Sequence, residues 1–155
     1  MAASSDLPEA LGPFLTELLN HHRDWLRLPI VDRSGPGWQG HALVVPPPDG
    51  SDLSGGLDIE EVGNEVTISF DHSHIHMTWP PVSKAETETM PSDPMMMIDA
   101  ILTERVVASS GWIDGEVRIG SIHERERSLS LLLSKLQHIR VRSWLGQFDR
   151  DERLR

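Results

Sequence analysis

The sequence predicts a single α+β domain with a largely antiparallel sheet of hairpins. Residues 65–79 alternate apolar with polar side chains on either side of a change of phase, and Asp114-Gly115 is a strong two-residue turn signal within residues 105–124. Two other stretches, residues 11–28 and 94–102, repeat apolar residues at helical spacing. Because helices and hairpins follow one another within 155 residues, we expect one core shared by all of them.

The N-terminal helix is predicted within residues 1–28, where Pro13 fits the first turn of the main helix and Pro29 ends it. Residues 32–56 are rich in Gly, Pro, Ser and Asp, and we expect a loop region with one short candidate strand at 42–45. Residues 57–149 form the predicted α+β body. The charged residues 150–155 are expected to be a frayed tail.

Within residues 65–79 the apolar positions are even before Asp71 and odd after Ser73. A single strand cannot change phase without a bulge, so the pattern predicts a hairpin that turns at His72-Ser73. Its predicted apolar pairs are Phe70–Ile75, Ile68–Met77 and Val66–Trp79, and its polar pairs are Asp71–His74, Ser69–His76 and Thr67–Thr78.

The remaining elements of the body have their own signals. Residues 57–62 are a predicted strand that enters the first hairpin through a turn at Gly63-Asn64. Asp93-Pro94 predicts the N-cap and first position of a central helix. Asp114-Gly115 predicts a second hairpin, with Trp112 opposite Val117, Val107 opposite Ile122 and Arg105 opposite Glu124. Residues 128–137 are a predicted short C-terminal helix, and residues 138–146 a strand.

The charge is acidic and uneven. The chain has 14 basic and 24 acidic residues, a net charge of −10, yet residues 121–155 hold 8 basic and 5 acidic ones. The acidic residues 1–120 repel phosphate backbones, which argues against direct nucleic-acid binding and favours a basic protein partner. The absence of cysteine excludes disulfides and thiolate zinc sites. No secretory signal and no apolar run of about 20 residues is visible, so we expect a cytoplasmic protein without membrane contact.

Three histidines in five residues, His72, His74 and His76, allow two interpretations. On one continuous strand they would share a side, as in a metal-dependent enzyme. The phase change instead places His72 in a turn, and no carboxylate in a suitable context follows. A triad from Ser69, Asp71 and a histidine is disfavoured, because an exposed face does not fix the hydrogen bonds that a nucleophile needs. We therefore expect neither catalytic residues nor a cofactor.

A recognition surface on the first hairpin is the preferred interpretation. The predicted partner-binding residues are Asp71, His72, His74, His76 and Trp79, with acidic support from Glu60 and Glu61. A plain solvated face and an oligomerising structural protein remain alternatives, and the oligomeric state is left open. His21 and His22 lie on the first helix, where one ring is expected to face inward and to be satisfied within the fold.

Several segments together resemble a known protein class. They are Val-Thr-Ile-Ser-Phe-Asp at 66–71, the His-x-His-x-x-Trp that ends at Trp79, Ile-Leu-Thr-Glu-Arg at 101–105, the Trp112…Asp114-Gly115 hairpin and Arg-Val-Arg-Ser-Trp-Leu-Gly at 140–146. Over about residues 57–149 the chain resembles immunity proteins of bacterial polymorphic-toxin or contact-dependent inhibition systems. The resemblance implies a non-enzymatic protein that blocks a cognate toxin domain by stoichiometric occlusion. The toxin is expected to be basic, such as a nuclease or deaminase.

Overall fold

Nine strands in two antiparallel sheets and two short α-helices make up the described part of this computed structural model, residues 11–81, 90–127 and 135–154. The elements in chain order are α1 (Pro13–His21), a 3-10 helix (Arg23–Arg27), β1 (Ile30–Asp32), β2 (Gly40–Val45), β3 (Leu57–Val62), β4 (Glu65–Phe70), β5 (Ser73–Thr78), α2 (Pro94–Leu102), β6 (Val106–Ile113), β7 (Glu116–Glu124), β8 (His138–Arg142) and β9 (Arg150–Arg153). The predicted α+β class is confirmed.

The first sheet has the order β1-β2-β3-β4-β5, and its inner face packs against both helices. Every second side chain of β3 and β4 points into this core, as their alternating burial shows. The main core joins α1, α2 and the first sheet through the fully buried Phe14, Leu15, Leu18, Leu43, Leu57, Ile59, Val66, Ile68, Phe70, Met97, Ile98 and Ile101. The other face of the first sheet therefore stays available to solvent or a partner.

The second sheet has the order β7-β6-β8-β9 and lies beside the β4–β5 hairpin. Val106, Ala108 and Ile122 on one of its faces extend the main core, while Val107 and Ile139 on the other belong to a smaller cluster. Gly120 permits the close approach of β7 to the first hairpin. A Cβ there would lie 2.8 Å from the carbonyl oxygen of His72 and from Ser73 Oγ.

Both helices begin where the sequence predicts. Pro13 occupies the first turn of α1, and the Asp93 carboxylate caps α2 by accepting a hydrogen bond from the Met95 N–H at 2.8 Å. The predicted N-terminal helix is too long at its end, because His22 leaves the helical conformation and a separate 3-10 helix follows. Residues 1–10 of that prediction lie outside the described residues.

The first hairpin forms, but its predicted register is wrong. Each residue of β4 lies opposite a residue of β5 two positions earlier than predicted. The turn is Asp71-His72, and Ser73 already belongs to β5, opposite Phe70. Asp71 adopts a φ of 54°, in the left-handed region that Asp tolerates better than most residues. The observed pairs are Val66–Met77, Thr67–His76, Ile68–Ile75 and Ser69–His74, so the apolar and polar sides are as predicted while each partner is shifted.

The second hairpin confirms its turn and its first pair, Trp112 opposite Val117. Beyond that pair a bulge inserts one extra residue in β7, so Val107 lies opposite His123 and Val106 opposite Glu124. The predicted pairs of Val107 with Ile122 and of Arg105 with Glu124 are wrong for this reason.

The connecting regions hold more structure than predicted. Residues 32–56 contain the whole of β2, longer than the candidate strand, and β1 ends at Asp32. The last predicted strand stops at Arg142, and residues 150–153, predicted to be frayed, pair with β8 as β9. The predicted helix at 128–137 falls mostly outside the described residues, and its described end, residues 135–137, is not helical.

Candidate functional site

The outward side of β4 and β5 forms an exposed polar surface, here called the hairpin face. Because the inner positions of these strands are packed in the core, the alternate positions must point outward. The hairpin face consists of Glu65, Thr67, Ser69, His74, His76 and Thr78. Two of the predicted partner-binding residues, His74 and His76, lie at its centre.

Short polar contacts order one side of the hairpin face. His76 Nδ1 lies 3.1 Å from Glu65 Oε1 and 3.1 Å from Thr67 Oγ1. The rings of His74 and His76 meet edge to face at 5.1 Å between centroids. The side chains of Glu65 and His76 nevertheless remain 58% and 57% exposed. The group offers a carboxylate, a hydroxyl and two imidazoles, so it can both donate and accept hydrogen bonds from a partner.

The same side of the sheet continues onto β3 through Asp58 and Glu60. Glu60 lies opposite Thr67, which lies opposite His76, so these three side chains form one row across the sheet. Arg33 binds both carboxylates, with Nη1 2.9 Å from Asp58 Oδ1 and 3.1 Å from Glu60 Oε2. These hydrogen bonds, led by the one to Asp58, raise the pKa of Arg33. Glu60 thus lies beside the hairpin face with its charge already paired.

Glu61 points to the opposite side of β3 and is buried. Its carboxylate oxygens accept hydrogen bonds from the backbone N–H groups of Phe14 at 2.9 Å and Leu15 at 3.0 Å. These are unpaired donors of the first turn of α1, which also carries a positive partial charge. Glu61 therefore holds α1 on the sheet and is not available to a partner.

Asp71 is also turned inward, and its side chain is only 1% exposed. Its two oxygens accept hydrogen bonds from Arg140 Nε and Nη2, each at 3.0 Å, and one accepts from the Ser54 N–H at 2.9 Å. Burial raises the pKa of Asp71, but the hydrogen bonds from Arg140 and Ser54 outweigh it, and the net pKa lies below the ordinary value of 3.8. The predicted Asp71–His74 pair does not form.

An ionic network centred on the buried Arg142 lies beside this contact, and the sequence did not predict it. Arg142 is 4% exposed and places Nη2 2.6 Å from Asp52 Oδ2 and 2.8 Å from Asp151 Oδ2. Asp52 also lies 3.5 Å from Arg140 Nη1. The network joins the second sheet to the β2–β3 loop and to the tip of the first hairpin. The alternation Arg-Val-Arg in the sequence was the available signal, since both arginines share one side of β8.

Trp79 and His72 each contact an aromatic ring within the fold. Trp79 is partly buried and meets Phe14 of α1 edge to face at 5.2 Å. His72 is exposed at the turn, where its ring meets Trp112 of the second sheet at 4.9 Å. Of the predicted surface, His72, His74 and His76 are exposed, Glu60 is half-buried, and Asp71, Glu61 and Trp79 are largely held within the fold.

The three histidines of the hairpin do not converge on one point. Among the described residues, which include all eight histidines, the group with metal-ligand spacing is His21, His22 and Asp99. That site lies between the two helices, away from the sequence run that suggested metal.

A buried pair in the second sheet has the chemistry of a nucleophile and a base. Ser109 Oγ lies 2.5 Å from His123 Nε2, and His123 Nδ1 lies 2.6 Å from the carbonyl oxygen of Glu124. That carbonyl only accepts, so Nδ1 carries the proton and Nε2 accepts from the serine. Burial is the main reason that the pKa of His123 is lowered. Ser109 is 1% exposed, so the pair completes the packing and does not meet a substrate.

A cleft of about 1050 Å³ opens between the start of α1 and the β1–β2 connection. Trp38 forms one wall and is 47% exposed, while Asp32 and His41 line the cleft and Glu61 closes its base. Exposed tryptophans are frequent anchors of protein contacts. Sequence reasoning did not single out Trp38, because it lies in a glycine-rich stretch without periodicity.

No protein-family model, curated protein or solved structure matches the chain. Neither of the two α-helices in the described residues is long and apolar enough to cross a membrane.

Proposed function

We propose that the protein is a non-enzymatic, cytoplasmic immunity protein that neutralises a basic bacterial toxin domain by covering it with the hairpin face. One observation carries the proposal. The first sheet is packed under two helices on one side, while the β4–β5 half of its other side exposes polar side chains around His74 and His76. A rigid, open sheet face can cover a cleft without losing much conformational freedom on binding.

The distribution of charge supports a basic partner. The chain carries a net charge of −10, and the excess of basic residues lies after residue 120. Two of those basic residues, Arg140 and Arg142, are 15% and 4% exposed and are bound to carboxylates. They neutralise those carboxylates and form no basic patch of their own, and the net negative charge of the chain attracts a positively charged domain and speeds its association.

The contact residues follow from exposure. Glu65 is the exposed carboxylate of the hairpin face and can bind an Arg or Lys side chain, while His74, His76 and Thr78 supply hydrogen bonds around it. Asp71 and Glu61 support this surface from inside by fixing the hairpin tip and α1. The proposed contact set is therefore Glu65, His74, His76 and Thr78, with Glu60 at its margin.

The test begins with the C-terminal domain encoded by the gene directly upstream. Growth of a host that expresses this domain is expected to recover when the full chain is expressed with it. Glu65→Lys is expected to weaken the complex at least about tenfold, because it places a cation against a basic partner. Glu116→Lys is the matched control, since Glu116 likewise begins a strand after a turn and is 69% exposed. The affinity of this control variant for the toxin domain is expected to stay within about twofold of that of the natural chain.

Two results would overturn the proposal. The first is a host whose growth does not recover although the chain is expressed as soluble, folded protein. The second is equal weakening by Glu65→Lys and Glu116→Lys, since the hairpin face would then have no special part. Light scattering on the free chain also checks the alternative of an oligomerising structural protein, for which the mass would rise with concentration. We expect the mass of one chain at every concentration.

A further inference from the structure

We infer that His21, His22 and Asp99 form a binding site for a divalent transition-metal ion of the zinc class, which joins the end of α1 to α2. This site is independent of the proposed toxin contact and involves different elements. His21 is the last residue of α1, His22 caps that helix, and Asp99 lies in α2. Two imidazoles and a carboxylate are a donor set that zinc, cobalt and nickel bind well.

The backbone brings two neighbouring histidines to one side. Successive residues of a regular helix point about 100° apart, so their rings normally diverge. Here His22 leaves the helix with φ −111° and ψ 76°, and its N–H donates to the Leu18 carbonyl at 2.8 Å. The two rings therefore meet edge to face, with centroids 4.9 Å apart. The helix end creates a convergence that the sequence pattern alone did not predict.

The distances fit a shared ion. His21 Nε2 lies 3.4 Å from Asp99 Oδ2, and His22 Nε2 lies 3.2 Å from Asp99 Oδ1. The group offers one donor atom from each of the three residues, and these atoms all lie within 4.8 Å of one another. A tetrahedral zinc ion with bonds of about 2.0–2.1 Å holds neighbouring donor atoms about 3.3 Å apart. The two nitrogens lie against different oxygens of the Asp99 carboxylate, so an ion would bind either both oxygens or one that has rotated toward both rings.

The contact between His22 and Asp99 is close without being a hydrogen bond. His22 Nε2 is buried and has no hydrogen-bond partner within the described residues, although the carboxylate lies 3.2 Å away. A buried polar atom without a partner destabilises the folded chain, so it calls for an explanation. A metal ion placed between the nitrogen and the carboxylate would satisfy both groups.

The neighbouring side chains hold His22 in place, while the other two proposed ligands, His21 and Asp99, remain open to solvent. The His22 ring is stacked on Trp25 at 4.0 Å with an interplanar angle of 14°, which fixes its orientation. His21 and Asp99 are 54% and 40% exposed, so a water molecule can reach a fourth coordination position. Three protein ligands and one solvent ligand give a site that exchanges its ion more readily than a closed structural site does.

The experiment uses the full chain without a histidine tag, stripped of metal by a chelator. Calorimetric titration with zinc chloride is expected to show one ion per chain, and cobalt(II) is expected to give the visible absorption of a tetrahedral site. Zinc at a hundred times its Kd is expected to raise the Tm by about 5–10 °C. His21→Ala and Asp99→Asn are each expected to abolish these three signals. His21→Ala removes a mostly exposed side chain and is the safer variant for folding.

The double variant His74→Ala/His76→Ala is the matched control, because it removes the other pair of adjacent imidazoles, whose rings lie 5.1 Å apart. It is expected to bind zinc as the natural chain does. Zinc binding that survives His21→Ala and Asp99→Asn would overturn the inference, and its loss in the control would place the ion at the hairpin instead. The absence of any binding heat and any Tm shift in the natural chain would overturn the inference as well.

Discussion

The turns of the β4–β5 and β6–β7 hairpins are alike locally and differ in what surrounds them. Each begins with an aspartate in the left-handed conformation, Asp71 with a φ of 54° and Asp114 with a φ of 51°. The Asp71 carboxylate is buried and bound to Arg140 from a different sheet. The Asp114 carboxylate is exposed, and the hydrogen bond that it accepts from the described residues comes from the Gln137 side chain at 3.2 Å.

The comparison separates two reasons for an aspartate in a turn. The local reason is conformational, because Asp tolerates a positive φ better than most residues, and it applies to both positions. The tertiary reason applies only to Asp71, whose charge ties the first hairpin to β8. A turn aspartate was therefore a poor candidate for partner binding without knowledge of its neighbours.

Replacing each aspartate by alanine gives the largest expected difference between the two hairpins. Asp71→Ala is expected to lower the free energy of unfolding by about 3 kcal/mol, because it leaves Arg140 mostly buried with weaker partners. Asp114→Ala is expected to lower it by about 1 kcal/mol, chiefly through the strain of alanine at positive φ. Both variants carry that strain, so the difference measured by urea unfolding reports the buried contacts of Asp71 with Arg140 and Ser54.

Equal losses for the two alanine variants would mean that the buried ion pair adds nothing beyond the turn. A pH series checks the same point independently. The pKa of Asp71 is lowered on folding, so its contribution is present above about pH 4 and disappears as the pH falls through the folded pKa. The stability difference between the natural chain and Asp71→Asn is therefore expected to shrink in acid.

A smaller effect distinguishes the buried histidine of the second hairpin from the exposed ones of the first. Burial lowers the pKa of His123, and the charges of Arg150 and Arg127 lower it further, while the hydrogen bond to the Glu124 carbonyl opposes them. The unfolded chain then binds more protons below its ordinary pKa of 6.5, so stability falls as the pH drops below that value. Each unit of lowering corresponds to about 1.4 kcal/mol.

His123→Gln removes the titrating group and keeps a polar side chain next to the Ser109 hydroxyl. The slope of unfolding free energy between pH 7 and pH 5 is expected to become shallower in this variant than in the natural chain. An unchanged slope would show that the acid sensitivity arises at other histidines.

The features that sequence predicted correctly are those set by near neighbours along the chain. The alternation of β4 and β5 identified their inner and outer sides, and Asp93-Pro94 marked the start of α2. Asp114-Gly115 marked the second turn. In each case the relevant contacts lie within a few residues, so local preference and periodicity are sufficient.

The features that sequence missed depend on distant partners. Asp71 and Arg140 are 69 residues apart, and Glu61 binds the start of α1 across 46 and 47 residues. The alternation of apolar and polar residues predicted that Asp71 lies near a turn, but it could not predict the contact with Arg140 of the other sheet. The strand β9 was missed for a similar reason, since its four exposed residues form a strand only because the edge of β8 accepts them.

The smallest expected effect on stability belongs to the hairpin face itself. His74→Ala/His76→Ala is expected to change the free energy of unfolding by no more than about 0.5 kcal/mol, because both rings are exposed and the contacts of His76 with Glu65 and Thr67 lie at the surface. Urea unfolding at pH 7 measures this. A loss of 2 kcal/mol or more, of the order expected for Asp71→Ala, would show that the rings stabilise the fold. A small change would mean that the two imidazoles contribute little to folding, so a loss of toxin binding in this variant would not reflect a loss of the fold.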